Sequence, residues 1–254
     1  MFWYDGKLRQ GSQLELEISD PGLRYGATCF TTMRVYDRSL NHFLTDWQAH
    51  CGRLKKSIAI FNWQQPNWQH LEQGVRLLMQ DFPVLRLTIF PDGREWITGR
   101  DLPPDLAKRQ TSGITAWIAR DSLYRRDLPE HKTGNYLSAY LARNRALTYR
   151  ATEAILINGR GNWLETSTGN LWGWRDNCWY TPSLESGILP GIARSRWISC
   201  LRSRHIKVVE NIWHPEFVST IQALGYSNCV VDYIPIIKTL EEKDIREYAI
   251  EQLR

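Results

Sequence analysis

The stretch EAILINGRGNWLETSTGNLWGWRDNCWYTP, residues 153–182, decides the fold class. EAILIN and NWLE flank a turn at Asn158-Gly159, and NLWGW and CWYTP flank Asp176-Asn177. Short β-prone runs joined by tight polar turns predict an antiparallel meander. Toward the C-terminus, LPGIARSRWISCLRSR (189–204) predicts a helix entered through Pro190-Gly191. It is followed by strand HIKVVE, helix HPEFVSTIQAL, strand YSNCVVD and a charged closing helix from about Leu240. Toward the N-terminus lie a helix from about Asn135 to Thr148, the polar loop RDSLYRRDLPEH and strand GITAWIA.

The segment RDLPPDLAKRQTSG (100–113) is polar and carries two prolines, so it is expected not to form an element interior. The domain boundary is placed there, giving domains 1–104 and 105–254. The first domain opens with MFWY, a turn at Asp5-Gly6, and the alternation Leu14, Leu16, Ile18. TCFTTMRVY and LNHFL read as a second strand pair around Asp37-Arg38-Ser39. Trp47, Cys51, Leu54, Ile58 and Phe61 follow a helical period, capped by Thr45 or Asp46. A second helix is expected from Pro66 to about Gln80, with proline in its first turn. VLRLTIF and EWITG flank Asp92-Gly93, a hairpin signal. The class is α+β in two domains with mostly antiparallel sheets.

The 254 residues are 43% hydrophobic and 23% charged, which excludes wholesale disorder. The longest runs without Asp, Glu, Lys or Arg, 57–71 and 217–231, fall short of the roughly 20 apolar residues of a membrane span. MFWYDGK shows no basic region followed by an apolar one, so no secretory signal is expected, and a cytoplasmic protein is. The net charge of +5 is scattered, whereas nucleic-acid binding calls for a clustered basic face. Five cysteines without a C-x-x-C pair read as buried free thiols, and the six histidines lack metal-ligand spacing. The 12 Trp and 11 Tyr suit cleft walls and interfaces.

Motifs for a Walker loop, a G-x-S-x-G nucleophile and an H-E-x-x-H metal site are missing, and GRGNWL lacks the third glycine of a dinucleotide fingerprint. Two places carry chemistry. Lys132 stands where a polar loop meets the helix NYLSAYLARNRAL; in isolation a lysine there reads as solvated. Gly187–Arg194 is a glycine-bracketed turn into a helix, whose unpaired N–H groups and positive dipole end suit a phosphate.

Six blocks in order give these places a context: SDPGLRYGATCFTTMRVYD (19–37), HCGRLKKS (50–57), HKTGNYLSAYLARNRA (131–146), EAILINGRGNWLETSTGNLW (153–172), GILPGIARSRW (187–197) and SNCVVDYIPI (227–236). Together they resemble the fold-type IV, or class IV aminotransferase, enzymes that use pyridoxal 5'-phosphate. The resemblance implies a smaller N-terminal α/β sandwich, a larger barrel-like C-terminal domain, and a homodimer with its active site between domains. It implies that Lys132 bonds to the cofactor and moves a substrate proton, as a lysine amine kept neutral can. Glu165 is implied to pair with the pyridine nitrogen, making the ring an electron sink.

Arg53, whose planar fork suits phosphate oxygens, is implied as a phosphate ligand, with Gly191, Ile192 and Ala193 forming the rest of the cup. Ala193 stands where the family often has threonine. Tyr136 is implied to bond the phenolic oxygen. Asn228 and Cys229 stand near the phosphate, where the family often has Asn-Ser or Thr. Phe30-Thr31-Thr32 resembles the aminodeoxychorismate lyase branch, with Thr32 aiding proton transfer; a β-branched strand residue is the plain alternative. Ala27-Thr28 and Pro91-Asp92 depart from the family's Asp-Gly and Arg-Gly near the substrate. The implied small-molecule reaction converts 4-amino-4-deoxychorismate to 4-aminobenzoate and pyruvate for folate synthesis. The alternative is transamination of branched-chain or D-amino acids.

Overall fold

The computed structural model describes residues 1–241 and 244–249. The chain forms two compact units. One comprises Met1–Pro104 with His131–Asn135, and the other Asp105–Glu130 with the chain from Tyr136 onward. Residues 131–135, expected in the second domain, therefore pack with the first.

The first unit contains β1 (Phe2–Tyr4), β2 (Lys7–Arg9), α1 (Pro21–Tyr25), β3 (Cys29–Arg34), α2 (Trp47–Ile60), α3 (Trp68–Leu78), β4 (Val84–Ile89) and β5 (Glu95–Arg100). Its antiparallel sheet runs β2-β1-β5-β4-β3. The β1–β2 turn has Asp5 and Gly6 at φ 47° and 74°, the left-handed pair that a tight hairpin requires. Met33, Leu85, Leu87 and Ile97 meet Leu54, Ile58, Leu71, Val75 and Leu78 in one core. Asp46 caps α2 by accepting from Ala49, and Asn67 caps α3. Pro66 thus precedes the α3 cap rather than entering its first turn.

Two expected strands do not form. Residues 14–18 are irregular because nothing among the described residues pairs with their apolar alternation, and Ile18 is 89% exposed. Residues 40–44 are also irregular, and β3 pairs with β4 instead.

The second unit contains α4 (Leu106–Ser112), β6 (Ile114–Ala119), α5 (Leu137–Thr148), β7 (Glu153–Ile157), β8 (Trp163–Thr166), β9 (Asn170–Arg175), β10 (Cys178–Pro182), α6 (Ile192–Ser203), β11 (Val208–Asn211), α7 (Pro215–Val218), β12 (Ala223–Asn228), β13 (Asp232–Glu241) and β14 (Asp244–Glu247). The expected meander is present, and its strands enter a ring β9-β12-β13-β6-β7-β8 that closes on β9 through the pair Glu165↔Asn170. Most pairings are antiparallel, but β6 runs parallel to both β7 and β13. The helical crossover through α5 between β6 and β7 permits this arrangement.

The polar 100–113 segment does hold a helix: α4 buries Leu106 and keeps its charges outward. The charged closing helix is replaced by β13 and β14, because Ile234, Ile236 and Thr239 bury while Lys238 and Glu241 stay at the side. The part of that expectation from residue 250 onward lies outside the described residues. HPEFVSTIQAL holds only the short α7 before β12 begins. Trp172, Trp174, Trp179 and Trp197 cluster in the second unit's core, so these four are packing residues rather than cleft walls. Four cysteines are buried and Cys200 is exposed.

Candidate active site

In the first unit, β3 alternates its side chains between two faces. Met33 and Val35 enter the core beneath α2 and Thr31 shares their face, while Phe30 and Thr32 face the other way. Lys132 joins β3 on this unit: Phe30 donates its N–H to the Lys132 carbonyl at 2.8 Å, and Thr133 bridges Cys29. The half-buried Lys132 puts its Nζ 4.8 Å from the centre of the Phe30 ring. Arg86, directly opposite Thr32 on β4, sets its guanidinium 3.5 Å from the same ring. Thr32 therefore shares its face with a ring that carries the Lys132 amine and the Arg86 guanidinium. Arg53 projects from α2 with its stem half-buried, and its Nη2 donates to Thr31 Oγ1. Burial pushes the Cys29 thiol up to about 12, so it is an inert neighbour of this strand.

In the second unit, Glu165 is 4% exposed at the ring closure. Its carboxylate accepts from Arg126 Nη1, from the Leu189 N–H at 3.2 Å and from Asn170 Nδ2 at 3.5 Å. Burial works against the Arg126 charge, but Glu165 and then Tyr136 outweigh it and hold the guanidinium's pKa above its ordinary value. Arg126 also lies 4.9 Å from the centre of the Tyr136 ring, and Tyr136 opens α5. Asn170 additionally donates to the Leu189 carbonyl at 2.9 Å, which fixes the turn that enters α6.

Gly191 is the N-cap of α6 and supplies no side-chain bond, leaving the first N–H groups of a 12-residue helix to a ligand or solvent. A Cβ at 191 would overlap the Asn170 amide oxygen, so the close approach requires glycine. Ile192 and Ala193 are buried at this entry. One short run of chain thus joins a buried carboxylate to a helix N-terminus. That donor set fits a ligand with a ring N–H at one end and a phosphate at the other, as pyridoxal phosphate has.

Asn228 serves its own turn: Oδ1 accepts from Val230 and Val231 at 2.8 and 3.0 Å, and Nδ2 donates to the Thr168 carbonyl at 3.2 Å. Cys229 is buried beside it. The sequence reading missed Arg126, Asn170, Thr31 and His50. Asn170 lies inside the quoted TSTGN block; Arg126 lies in a loop that reads as merely polar, and its partner is 39 residues away. Among the described residues, no cluster of His, Cys, Asp and Glu can hold a metal ion. Nor is any helix there long and apolar enough to cross a membrane.

A two-unit α+β fold with a closed six-stranded ring and a separate antiparallel sheet is the architecture of fold-type IV aminotransferases. The chain belongs to the class IV aminotransferase family, whose sequence profile matches residues 28–239. Members of that family use pyridoxal phosphate. The chain is 23% identical over 224 residues to an aminodeoxychorismate lyase of Vibrio harveyi, covering 82% of this chain and 80% of that one. It is 24% identical over 235 residues to a branched-chain-amino-acid aminotransferase of Pseudomonas aeruginosa, covering 83% and 75%. Its fold matches the Escherichia coli branched-chain amino acid aminotransferase with a TM-score of 0.81 at 22% identity, covering 95% and 86%. A protein described as a putative 4-amino-4-deoxychorismate lyase from Legionella pneumophila matches with a TM-score of 0.76 at 20% identity, covering 95% and 92%.

Proposed function

We propose that this chain is a pyridoxal phosphate-dependent aminodeoxychorismate lyase that forms 4-aminobenzoate and pyruvate. The observation that supports the cofactor most is the Glu165 carboxylate tied to the Leu189 N–H, two residues before the α6 entry. Glu165 would hold the proton of the ring nitrogen. Arg53 and the N–H groups of Ile192 and Ala193 would bind the phosphate, and Tyr136 would bond the phenolic oxygen. In this reading Asn228 shapes the loop at Thr168, and Cys229 packs beside it. When bound, pyridoxal phosphate supplies an aldehyde for amine attachment and a ring that accepts electrons.

Lys132 is then the covalent anchor, and once released its amine removes the proton from the substrate carbon that bears nitrogen. Loss of the enolpyruvyl ether oxygen from the neighbouring carbon leaves an aromatic ring, and the three-carbon fragment gains a proton to become pyruvate. Thr32 aids that protonation: it shares the face of β3 that carries Phe30, whose ring Lys132 covers. This reading carries a folate-synthesis role, a cytoplasmic setting and a homodimeric assembly with it.

The test supplies purified protein and pyridoxal phosphate with 4-amino-4-deoxychorismate and no keto acid. The expected result is 4-aminobenzoate fluorescence and pyruvate in equal amounts. Turnover that demands 2-oxoglutarate and yields glutamate would replace the lyase with an aminotransferase, a reading supported by the likeness to the Pseudomonas aeruginosa branched-chain-amino-acid aminotransferase. Thr32→Val is expected to slow product formation by about 10²-fold with cofactor affinity unchanged. Equal loss of both would make Thr32 a packing residue.

A further inference from the structure

The two threonines of Phe30-Thr31-Thr32 face opposite ways, and the inward one is unexplained by strand packing. Thr31 is fully buried on the face that also carries Met33 and Val35, beneath the helix that holds Cys51, Leu54 and Ile58. Valine has the same shape and would bury there without a hydroxyl to satisfy. The hydroxyl has two partners, His50 Nδ1 at 2.5 Å and Arg53 Nη2. His50 and Arg53 stand three residues apart on α2, so the helix turns both toward β3.

The donors order this chain. A guanidinium has only donors, so Thr31 Oγ1 accepts from Arg53. Thr31 Oγ1 keeps a second lone pair and its own proton, so the His50 Nδ1 contact completes the hydroxyl whichever ring tautomer is present.

We propose that Thr31 is a positioning residue that holds the Arg53 guanidinium ready for the cofactor's phosphate, with His50 fixing the hydroxyl. The proposal rests on the reading of Arg53 as a phosphate ligand. An arginine side chain carries large rotamer freedom, and fixing it before binding lowers the ordering cost that the phosphate contact must offset. The role is specific to the phosphate, so its mark is the ratio of affinities for pyridoxal phosphate and for pyridoxal, which has the same ring without the phosphate.

Both affinities are measured by absorbance titration of the apoprotein. Thr31→Val is expected to weaken pyridoxal phosphate binding about tenfold with pyridoxal binding unchanged, and Thr31→Ser to restore the ratio. If Thr31→Val does not fold, His50→Phe keeps an aromatic ring, removes the Nδ1 partner and should lower the ratio about threefold. A threonine that only packs β3 against α2 would lower both affinities together, which overturns the proposal. Arg53→Gln separates the two failures. If it leaves the ratio intact, Arg53 is not a phosphate ligand and the proposal falls with that reading. If it collapses the ratio while neither Thr31→Val nor His50→Phe moves it, the positioning role alone is refuted.

Discussion

Glu153 and Glu165 lie on adjacent strands of the same ring, and both are almost wholly buried, at 2% and 4% exposure. Their surroundings differ. Glu165 is bonded to the Arg126 guanidinium, whose side chain is as buried as its own. Glu153 is bonded by the hydroxyls of Ser167 and Thr168 and by the Ala154 N–H at 3.1 Å, with no cation bonded to it among the described residues. Burial accordingly pushes the Glu153 carboxyl above the usual range, against the lowering by those hydroxyls, the amide and the more distant Arg143. A buried carboxylate keeps its charge where a cation answers it, and is driven toward neutrality where only hydroxyls do. The proposed function needs the charged kind at Glu165. Glu153 holds the loop from Ser167 to Gly169, onto which Asn228 donates.

The sharpest way to break this contrast is Arg126→Gln. Leaving Glu165 buried without its cation should cost about 3–5 kcal/mol of stability in urea unfolding. It should also make the apoprotein less stable as pH rises, the behaviour that burial imposes on Glu153. Unfolding curves that match the wild type at every pH would show that the guanidinium does not hold the carboxylate's charge.

Gly191→Ala should have the next largest effect, because its Cβ would displace the Asn170 amide that ties Glu165 to the α6 entry. The expected loss is about 1–3 kcal/mol, read as a lower melting temperature, together with weaker pyridoxal phosphate binding. An unchanged melt would mean that the entry relaxes without strain.

The smallest effect is expected at the other carboxyl. The folded pKa of Glu153 lies above its ordinary value of 4.5, so its contribution to stability is complete below about that pH and is lost as pH rises through the folded value. Glu153→Gln keeps a carbonyl acceptor for the hydroxyls and cannot ionise. Relative to wild type it should become progressively more stable as pH rises above 4.5, by melting temperature against pH. Parallel curves for the two proteins would deny that Glu153 resists ionisation.

Local chemistry explains what the sequence disclosed. The turns at Asp5-Gly6 and Asp176-Asn177 were readable because left-handed backbone favours those residues, Gly93 and Gly161 supply it at the turns after Asp92 and Asn158, and α2 was readable from its apolar spacing. What failed depends on partners far along the chain. β13 pairs with β6, more than 100 residues earlier, and its Lys238 and Glu241 mimic a charged helix. Leu14, Leu16 and Ile18 alternate as a strand should but have no strand to pair with among the described residues.

The candidate site divides the same way. Lys132, Arg53, Glu165 and Gly191 stand in short blocks with a recognisable order. Arg126 and Thr31 acquire meaning only through partners 39 and 22 residues away. No local pattern marks Arg126, and the Phe30-Thr31-Thr32 motif does not disclose what the Thr31 hydroxyl bonds.

The covalent role of Lys132 is tested most directly by incubating the protein with pyridoxal phosphate, reducing the protein–cofactor linkage with borohydride and mapping the modified peptide by mass. The account predicts a single modified residue, Lys132, and no modification in Lys132→Ala. Stable modification at another lysine, or none in the wild type, would contradict it.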